Sequence, residues 1–417
     1  MIRTLASVAP LLVGVAILLT GQGLQGTLLP VRANLEGFST LSVGLMGGAY
    51  FFGFTLGCLR GSTLLRRVGH IRVFAAMTAA ASAVPLLHGL FVETWFWWLL
   101  RSVTGYCFAV LYVVIESWLN EQATNENRGA VFSAYTLITL TVLAVGQQML
   151  LLYDPQQMYL FAIASAIVSI AAIPVVLSAS PTPAQAEQTV RLDVRRLFRI
   201  SPAGALGCLA SGMANGSFWA LAPVFVAGYS PDVSLAAWFM TSAVLGGALG
   251  QWPLGRWSDR VDRRWVIGFA ALVGALVSCT ISLFFTNLTP LALMALGAAW
   301  GAVAFPLYAV SVAHTNDQAR PGEYVMISSG LLLMYGVGAI LGPFVAPAVM
   351  SLVGSRGLYV HTAAIHLLLL AYIALRFRKR MAQPDEEHRP FVDALAATQT
   401  ASQVYEDELV HREQESP

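Results

Sequence analysis

Two ionisable side chains lie within one long apolar segment, residues 95–119. Arg101 and Glu116 are 15 positions apart, which on a helix corresponds to about 60° around the axis and about 22 Å along it. They therefore share a face without contacting each other. A charge in apolar surroundings is costly and usually has a function. We expect Arg101 to bind an anion or couple to protons, and Glu116 to carry a proton.

Both charges also have structural interpretations. Arg101 would then extend towards water or pair inside the protein, and Glu116 would cap the helix end. Gly105, Phe108 and Tyr112 lie on the same helical stripe, with Tyr112 one turn from Glu116. We expect this stripe to face a central cavity.

Amide and aromatic side chains in other apolar segments are further candidates for binding a polar ligand. An amide in apolar surroundings either orients a ligand or hydrogen-bonds to a neighbouring helix, whereas a tryptophan more often packs. The candidates are Gln22, Gln25, Gln147, Gln148, Asn215, Trp219, Tyr308 and Tyr335.

The composition indicates whether the protein that contains these residues folds in water or in a lipid bilayer. Of 417 residues, 57% are hydrophobic and 11% are charged, with a mean hydropathy of +0.66. A soluble domain carries about 25% charged residues, so a soluble domain, collagen and a disordered chain are excluded. A membrane-spanning helix needs about 20 apolar residues, so roughly ten to fourteen helices fit. We therefore predict an all-α integral membrane protein in the lipid bilayer.

Apolar runs predict twelve spans in two sets of six. A polar break at 179–201 separates an N-terminal bundle, 1–178, from a C-terminal bundle, 202–380, and an acidic tail follows at 381–417. The first apolar run is too long for a signal peptide. The predicted spans are 7–30, 40–60, 72–91, 95–119, 129–152, 157–178, 202–228, 233–254, 265–285, 289–312, 323–350 and 355–376.

Arginine placement predicts the orientation. Alternate connections are basic, and the remaining ones carry only Arg32 and Arg356, which puts both termini in the cytoplasm. Residues 1–380 carry 22 basic and 13 acidic side chains, whereas the tail carries two and nine, so the small net charge of +2 hides a basic body. We expect a solvated, mostly disordered tail, with regulatory contact to the basic loops as the alternative. The basic connections contain Arg60, Arg66, Arg67, Arg72, Arg191, Arg195, Arg196, Arg199, Arg256, Arg260, Arg263, Arg264, Arg376, Arg378, Lys379 and Arg380.

The two halves repeat each other at a nearly constant spacing. A shift of 193 residues brings Gln22-Gly23 onto Asn215-Gly216 and Pro30 onto Pro223, and a shift of 194 brings Gly61 onto Gly255. Parallel repeats of this kind occur in transporters with a pseudo-two-fold axis along the membrane normal.

Other kinds of site find little support. Cys58, Cys107, Cys208 and Cys279 lie apart in apolar runs and are expected to be core residues. His314, His361 and His366 are expected to be structural rather than a proton relay. The sequence has no HExxH, GxSxG or Walker A motif, so we expect no enzyme, metal, cofactor or ATP-driven transport.

The chain resembles the major facilitator superfamily over about residues 5–380. GRWSDRVDRR at 255–264 resembles the family's G-x-x-x-D-R-x-G-R-R/K loop, with Gly255, Asp259, Arg260 and Arg263 matching. The family's better copy normally lies in the first half, where this chain has Leu65 at the aspartate position. RSVTG at 101–105 resembles the helix-4 R-x-x-x-G motif. IESWLN at 115–120 and GSFWALAPVF at 216–225 look most like YcaD-type permeases.

The resemblance implies two pseudo-symmetric six-helix bundles, with spans 1, 4, 7 and 10 lining a cavity. It also implies a gating loop in which Asp259 reaches the start of span 5 near 127–129. In the other half, Arg66 or Arg67 would meet Glu323. The Gly-Pro motif of drug antiporters belongs in helix 5, but here GVGAILGPFVAP lies in span 11, which weakens an antiporter interpretation.

We therefore expect a secondary active transporter in the inner membrane, working by alternating access and coupled to protons. The expected substrate is a small zwitterion or organic anion, the expected state is a monomer, and no nucleic acid partner is expected. The alternatives are a receptor or scaffold that binds without transporting, and a uniporter or drug efflux pump of the same fold.

Overall fold

The computed structural model describes residues 2–122, 128–177, 193–319 and 324–377. Within these ranges the regular structure is helical, and twelve helices are long and apolar enough to cross a membrane, as the apolar runs predicted. Glu323, residues 179–192 of the predicted linker, and the acidic tail lie outside the described ranges.

The first six spans are formed by the following segments. They are Ile2–Leu35, Thr40–Val68, His70–Leu90, Thr94–Gln122, Arg128–Gln148 with a 3-10 turn at Met149–Leu152, and Tyr159–Ile170 continued by Ala172–Val176.

A short helix, Val194–Ile200, precedes the second six spans. These are Pro202–Ala227, Val233–Ser258, Arg263–Leu283, Pro290–Ala304 continued by Pro306–Asn316, Tyr324–Val353 and Gly357–Phe377. Span 10 is interrupted at Phe305 because Pro306 has no N–H to donate to the preceding turn.

Span 2 is longer than the predicted 40–60. Its helix continues to Val68 and therefore includes Arg60, Arg66 and Arg67, which the sequence had placed in a loop. Long arginine side chains reach water from a helix that continues past the apolar layer. The turn to span 3 is a single residue, Gly69, whose φ of +89° favours glycine.

Consecutive spans run in opposite directions, so their ends define two faces. At one face, which we call the basic face, span 2 ends near Arg66 and span 8 ends near Arg256. The opposite face is the one where span 1 ends at Leu35 and span 8 begins at Val233.

The apolar core is shared between the halves at one face and divided at the other. One cluster towards the opposite face combines residues of both halves, such as Leu28 and Phe218. Towards the basic face, a second cluster contains only first-half residues such as Phe108, and a third contains only residues C-terminal to 196, such as Leu307. Among the described residues, no apolar cluster joins the two halves towards the basic face, and we infer a cleft there that opens to this face.

The internal repeat is visible in matching glycine contacts. A Cβ at Gly53 of span 2 would strike the carbonyl oxygen of Ser102 in span 4, and one at Gly246 of span 8 would strike that of Ala298 in span 10. The first members of these pairs are 193 residues apart, the shift found in the sequence, and the second members are 196 apart. The same small-residue packing, which lets helix backbones approach closely, therefore builds both halves.

Candidate functional site

Contacts between the halves close the cleft at the opposite face. Gly44 and Gly47 of span 2 meet Pro343 of span 11 and Ala220 of span 7. A contact nearer the middle of the bilayer is between Thr55 and Gly336, where an added Cβ would lie 2.6 Å from the threonine hydroxyl. These small residues allow the two halves to pack together without a gap.

Hydrogen bonds between spans 5 and 8 add to this closure. Gln148 Nε2 donates to Thr241 Oγ1 at 2.7 Å and to the carbonyl oxygen of Ala237 at 3.2 Å, and Thr241 Oγ1 donates to Gln147 Oε1 at 3.1 Å. The predicted cavity residue Gln147 is therefore an interhelical hydrogen-bonding residue that joins the two halves.

On the first-half side of the cleft, four polar residues form one continuous array. The guanidinium carbon of Arg101 lies 4.3 Å from the centroid of the Tyr50 ring. Gln22 Nε2 donates to Tyr50 Oη at 2.9 Å, and Tyr112 Oη donates to Gln22 Oε1 at 3.0 Å. We call Arg101, Tyr50, Gln22 and Tyr112 the polar array. Spans 1, 2 and 4 each contribute to it.

The hydrogen bonds of the array have one direction. The amide of Gln22 receives from Tyr112 and donates to Tyr50, so the Tyr50 hydroxyl keeps its own proton for another acceptor. Arg101 has only donors. Its Nε is buried without a hydrogen-bond partner among the described residues, while the residue as a whole is partly exposed. The array therefore presents donors to the cleft.

Glu116 lies one turn beyond Tyr112 towards the basic face and is 1% exposed. Its electrostatic neighbours among the described residues include Cys58 of span 2, Tyr135 of span 5 and Tyr308 of span 10. Tyr112 lies between Arg101 and Glu116 along span 4 and is an electrostatic neighbour of Glu116.

The second-half wall of the cleft is aromatic. The ring centroids of Tyr308 and Tyr335 are 4.9 Å apart, and Tyr335 lies near Tyr50 across the cleft. Trp219 stacks on Phe305 with ring centroids 5.5 Å apart. Trp219 therefore packs, as expected for a tryptophan, at the place where span 10 is interrupted.

Asn215 occupies the position equivalent to Gln22 in the second half. Its Nδ2 donates to Ser211 Oγ at 3.2 Å and to the carbonyl oxygen of Ala304 at 3.5 Å, whereas its Oδ1 is buried with no hydrogen-bond partner among the described residues. The repeat thus places an amide in both walls: Gln22 belongs to the polar array, and Asn215 contacts Ser211 and Tyr335.

One expectation about the lining of the cavity is corrected. Gly105 packs against the carbonyl oxygen of Tyr50, and Phe108 is fully buried in the first-half cluster, so most of their helical stripe packs inside the bundle. Gln25 is 2% exposed, and both of its amide atoms are buried without a hydrogen-bond partner among the described residues. Its role in binding a solute stays a prediction.

In the basic loop, Arg263 is the central residue. Its side chain is 0% exposed, and its Nε pairs with Asp317 at 2.7 Å, while its Nη2 lies 3.5 Å from Asp259. These contacts tie spans 8, 9 and 10 together within the second half. The predicted partner of Asp259 near 127–129 cannot be described, because residues 123–127 and the side chains of 128–130 lie outside the described part of the chain.

The remaining loop residues have local roles. Arg264 pairs with Asp262 at 2.5 Å, Gly255 is buried, and Arg260 is exposed. Burial acts to raise the pKa of the Asp262 carboxyl, but hydrogen bonds from the side chain and backbone of Arg264 outweigh it, so this pKa lies below its usual value. Arg66 donates to Thr63 Oγ1 at 3.4 Å.

Two of the histidines lie inside the second half. His361 Nε2 is 3.1 Å from Ser217 Oγ, and His366 Nδ1 is 2.7 Å from the carbonyl oxygen of Thr362. Both rings are buried. His314 lies at the end of span 10, with Nε2 3.1 Å from Gln318 Nε2.

Sequence reasoning missed Tyr50, Phe305 and Asp317. Tyr50 lies in a run of aromatic residues, YFFGF, where nothing distinguishes a functional tyrosine from a packing one. Asp317 could have been found, because it ends span 10 on the same face as the arginines of the basic loop.

Comparison with known proteins gives one consistent result. A family model described as Major Facilitator Superfamily matches residues 11–230 and 204–409. Proteins named uncharacterized MFS-type transporter YcaD, from Escherichia fergusonii and Escherichia coli O17:K52:H18, are 28% and 29% identical. The first alignment covers 90% of this chain and 96% of the relative, and the second covers 86% and 93%.

Solved structures share the fold at low sequence identity. The crystal structure of nucleoside transporter NupG has a TM-score of 0.72 at 15% identity and covers 91% of this chain and 100% of that one. A bacterial homologue of the human lysosomal transporter Spinster, in an inward-facing and occupied conformation, has a TM-score of 0.71 at 15% identity, with coverage of 91% and 98%.

Proposed function

We propose that this chain, which belongs to the major facilitator superfamily, moves a small solute across the membrane by alternating access coupled to protons. Family membership makes it a multi-pass inner-membrane transporter of a small molecule. The mechanism, the coupling ion and the orientation are the proposal, and the divided core is the observation that carries it.

The cleft supports an inward-open state. Arginines concentrate at the basic face, which by the positive-inside rule is the cytoplasmic one, and both termini then lie in the cytoplasm. The cleft opens to that face and is closed at the other. A solute at the polar array would therefore exchange with the cytoplasm in this conformation.

Alternating access requires the shared core at the opposite face to separate. Among the described residues, the polar bonds that join the halves there are mainly those between Gln148, Gln147 and Thr241, and hydrogen bonds between membrane helices are individually weak. At the glycine contacts between the halves, few side chains interlock, so few would have to separate when the halves move apart. We propose that the halves rock as units, because each has its own undivided core at the basic face.

For the basic face, we propose that the gating loop braces the halves when they close. Gly255, Asp259, Arg260 and Arg263 form its second-half copy, with Arg263 already fixed by Asp317. In the first half Arg66 would meet Glu323. If Asp259→Asn changes neither transport nor the conformational equilibrium, this gating role is wrong.

We assign proton carriage to Glu116. It is a buried carboxyl inside a span, where charge is costly, and its described electrostatic neighbours are tyrosines and a cysteine thiol. Tyr112 of the polar array, one helical turn away, is an electrostatic neighbour of Glu116. Protonation of Glu116 would therefore alter the same network that meets the solute.

Double electron–electron resonance tests alternating access without knowledge of the substrate. Spin labels at exposed Arg67 and Arg260 report the distance across the basic face, and labels at exposed Leu41 and Pro231 report the opposite face. We expect two distance populations for each pair, shifting in opposite senses when conditions change. A single fixed distance at both faces would instead favour a receptor or scaffold.

The same labels test the proton. In the native protein, acidification should shift the two populations, and Glu116→Gln should hold them at the acidic ratio regardless of pH. Glu93→Gln is the matched control, because Glu93 lies outside the spans, just before the start of span 4. An undiminished pH response in Glu116→Gln would exclude Glu116 and favour a uniporter.

A further inference from the structure

We infer that the solute carried is an organic anion, whose carboxylate or similar group is bound by Arg101 and the Tyr50 hydroxyl, with its apolar body against Tyr335 and Tyr308. This inference rests on the proposed function and narrows the substrate from any small solute to one chemical class.

The first step is the chemistry that the polar array offers. Arg101 and Tyr50 present N–H and O–H donors, while the amide oxygen within the array, that of Gln22, already accepts from Tyr112. A site that offers hydrogen-bond donors suits a ligand group that only accepts hydrogen bonds. A carboxylate or phosphate is the commonest such group.

The second step is the charge of Arg101. None of the described carboxylates forms an ion pair with it, and its one contact with a charged or aromatic partner is the ring of Tyr50. A cation–π contact with tyrosine leaves the guanidinium edge available for hydrogen bonds. An arginine inside a span that pairs with no described carboxylate is suited to receive an anion from a ligand.

Third, the array is present only once. Tyr112 and Gln22 have the repeat counterparts Tyr308 and Asn215, but the positions equivalent to Tyr50 and Arg101 are Ala243 and Gly297. That side of the cleft has no cation equivalent to Arg101. A single anionic group on the solute therefore has one place to bind and fixes the orientation of the remainder.

The facing wall favours an apolar or aromatic body. Tyr335 lies across from Tyr50 and contacts the ring of Tyr308, and both rings are on the cleft side of spans 11 and 10. Glu116, the one acidic residue near the array in the described chain, is 1% exposed. An ammonium group would therefore lack an exposed carboxylate to meet, which favours an anion over a zwitterion.

Binding of matched probes to purified full-length protein tests the inference. Isothermal titration calorimetry compares phenylacetate with its neutral isostere phenylacetamide and with zwitterionic phenylalanine. We expect phenylacetate to bind at least about tenfold more tightly than the other two. Arg101→Gln should weaken phenylacetate about 10- to 100-fold, the usual effect of losing a hydrogen bond between ions.

A second arginine provides the matched control. Arg256 also stacks on an aromatic ring, Trp252 at 4.7 Å, but it is exposed at the basic face. Arg256→Gln should leave phenylacetate binding unchanged. Tyr50→Phe keeps the ring under Arg101 and removes the hydroxyl donor, so it should produce a smaller loss than Arg101→Gln.

The outcomes separate this inference from the proposed function. Equal binding of phenylacetate and phenylacetamide, tighter binding of phenylalanine, or binding by none of the probes overturns the anion assignment. Reciprocal distance changes in the spin-labelled protein would still support alternating access in each of those cases. Fixed distances together with tight phenylacetate binding would mean a receptor for anions rather than a transporter.

Discussion

Gln148 and Thr241 are joined by a 2.7 Å hydrogen bond across the boundary between the two halves. The same threonine hydroxyl donates to Gln147, so one side chain of span 8 engages two consecutive amides of span 5. These bonds lie at the opposite face, where the core is continuous. They belong to the contacts that must break for the cleft to open there.

Replacing Thr241 by valine should weaken this closure. The change is nearly isosteric and removes both hydroxyl hydrogen bonds, each worth about 1 kcal/mol in a membrane protein, which corresponds to roughly a five- to thirtyfold change in the equilibrium. We expect the spin labels at Leu41 and Pro231 to show a larger open population at the opposite face.

Thr280→Val is the control for this substitution. Thr280 of span 9 bonds only to the carbonyl oxygen of Leu276 in its own helix, so its loss should not affect the balance between the halves. A Thr241→Val protein with native distance populations would show that these bonds do not hold the halves together.

Gly105→Ala should disrupt the polar array by displacing the backbone of Tyr50. An added Cβ would strike the carbonyl oxygen of Tyr50, forcing spans 2 and 4 apart at the residue that contacts both Arg101 and Gln22. Overpacking of this kind costs about 1–3 kcal/mol. We expect a lower thermal unfolding temperature together with weaker phenylacetate binding.

The internal repeat supplies the matched variant for Gly105. Gly301 of span 10 makes the equivalent contact with the carbonyl oxygen of Ala243. Gly301→Ala should lower stability to a similar degree and leave anion binding nearly intact, because no array lies beside it. Equal losses of phenylacetate binding in both variants would mean that Gly105→Ala weakens binding only because it destabilises the protein.

Asp317→Ala should be the most destabilising change in the basic loop. It leaves the buried guanidinium of Arg263 without its 2.7 Å partner, and breaking a buried ion pair costs about 3–5 kcal/mol. Arg263→Leu together with Asp317→Leu removes both charges and should recover much of the stability in a thermal unfolding assay. A single variant as stable as the native protein would mean that Arg263 is satisfied by other groups.

The pair of Asp262 and Arg264 predicts a pH dependence of stability. Because the pKa of Asp262 is depressed in the folded protein, its stabilising contribution is complete above the ordinary pKa of 3.8 and is lost as the pH falls through the folded value. Asp262→Asn should therefore lower the unfolding temperature at pH 6, and this difference should diminish below about pH 4. A difference that grows on acidification would contradict this assignment.

The fold was predictable because it depends on properties that sequence displays directly. Long apolar runs predicted twelve spans, and the shift from Gln22 to Asn215 predicted the repeat that the glycine contacts reproduce. Helix ends were less predictable. Span 2 includes Arg66 and Arg67, because long arginine side chains reach water from a helix that continues past the apolar layer.

Individual site residues were harder to place. Arg101 and Glu116 were identifiable because charge is rare in such segments, whereas Tyr50 resembles its aromatic neighbours. Gln22 and Gln25 differ by less than one helical turn, yet one lies in the array and the other is buried without a hydrogen-bond partner among the described residues. Which side of a buried helix meets the cleft depends on tertiary packing, which a helix that is apolar on all sides does not reveal.

Cys58 offers the most direct test that the halves open alternately around this cleft. It lies one turn beyond Thr55 towards the basic face, is partly exposed and lies near Tyr308 of the second half. With Cys107, Cys208 and Cys279 replaced by alanine, a membrane-impermeant maleimide is applied to either side of sealed vesicles. We expect modification of Cys58 from the cytoplasmic side only, slowed by Thr241→Val as the opposite face opens. Modification from the external side in the native protein, or a rate from the cytoplasmic side that Thr241→Val leaves unchanged, would contradict this expectation.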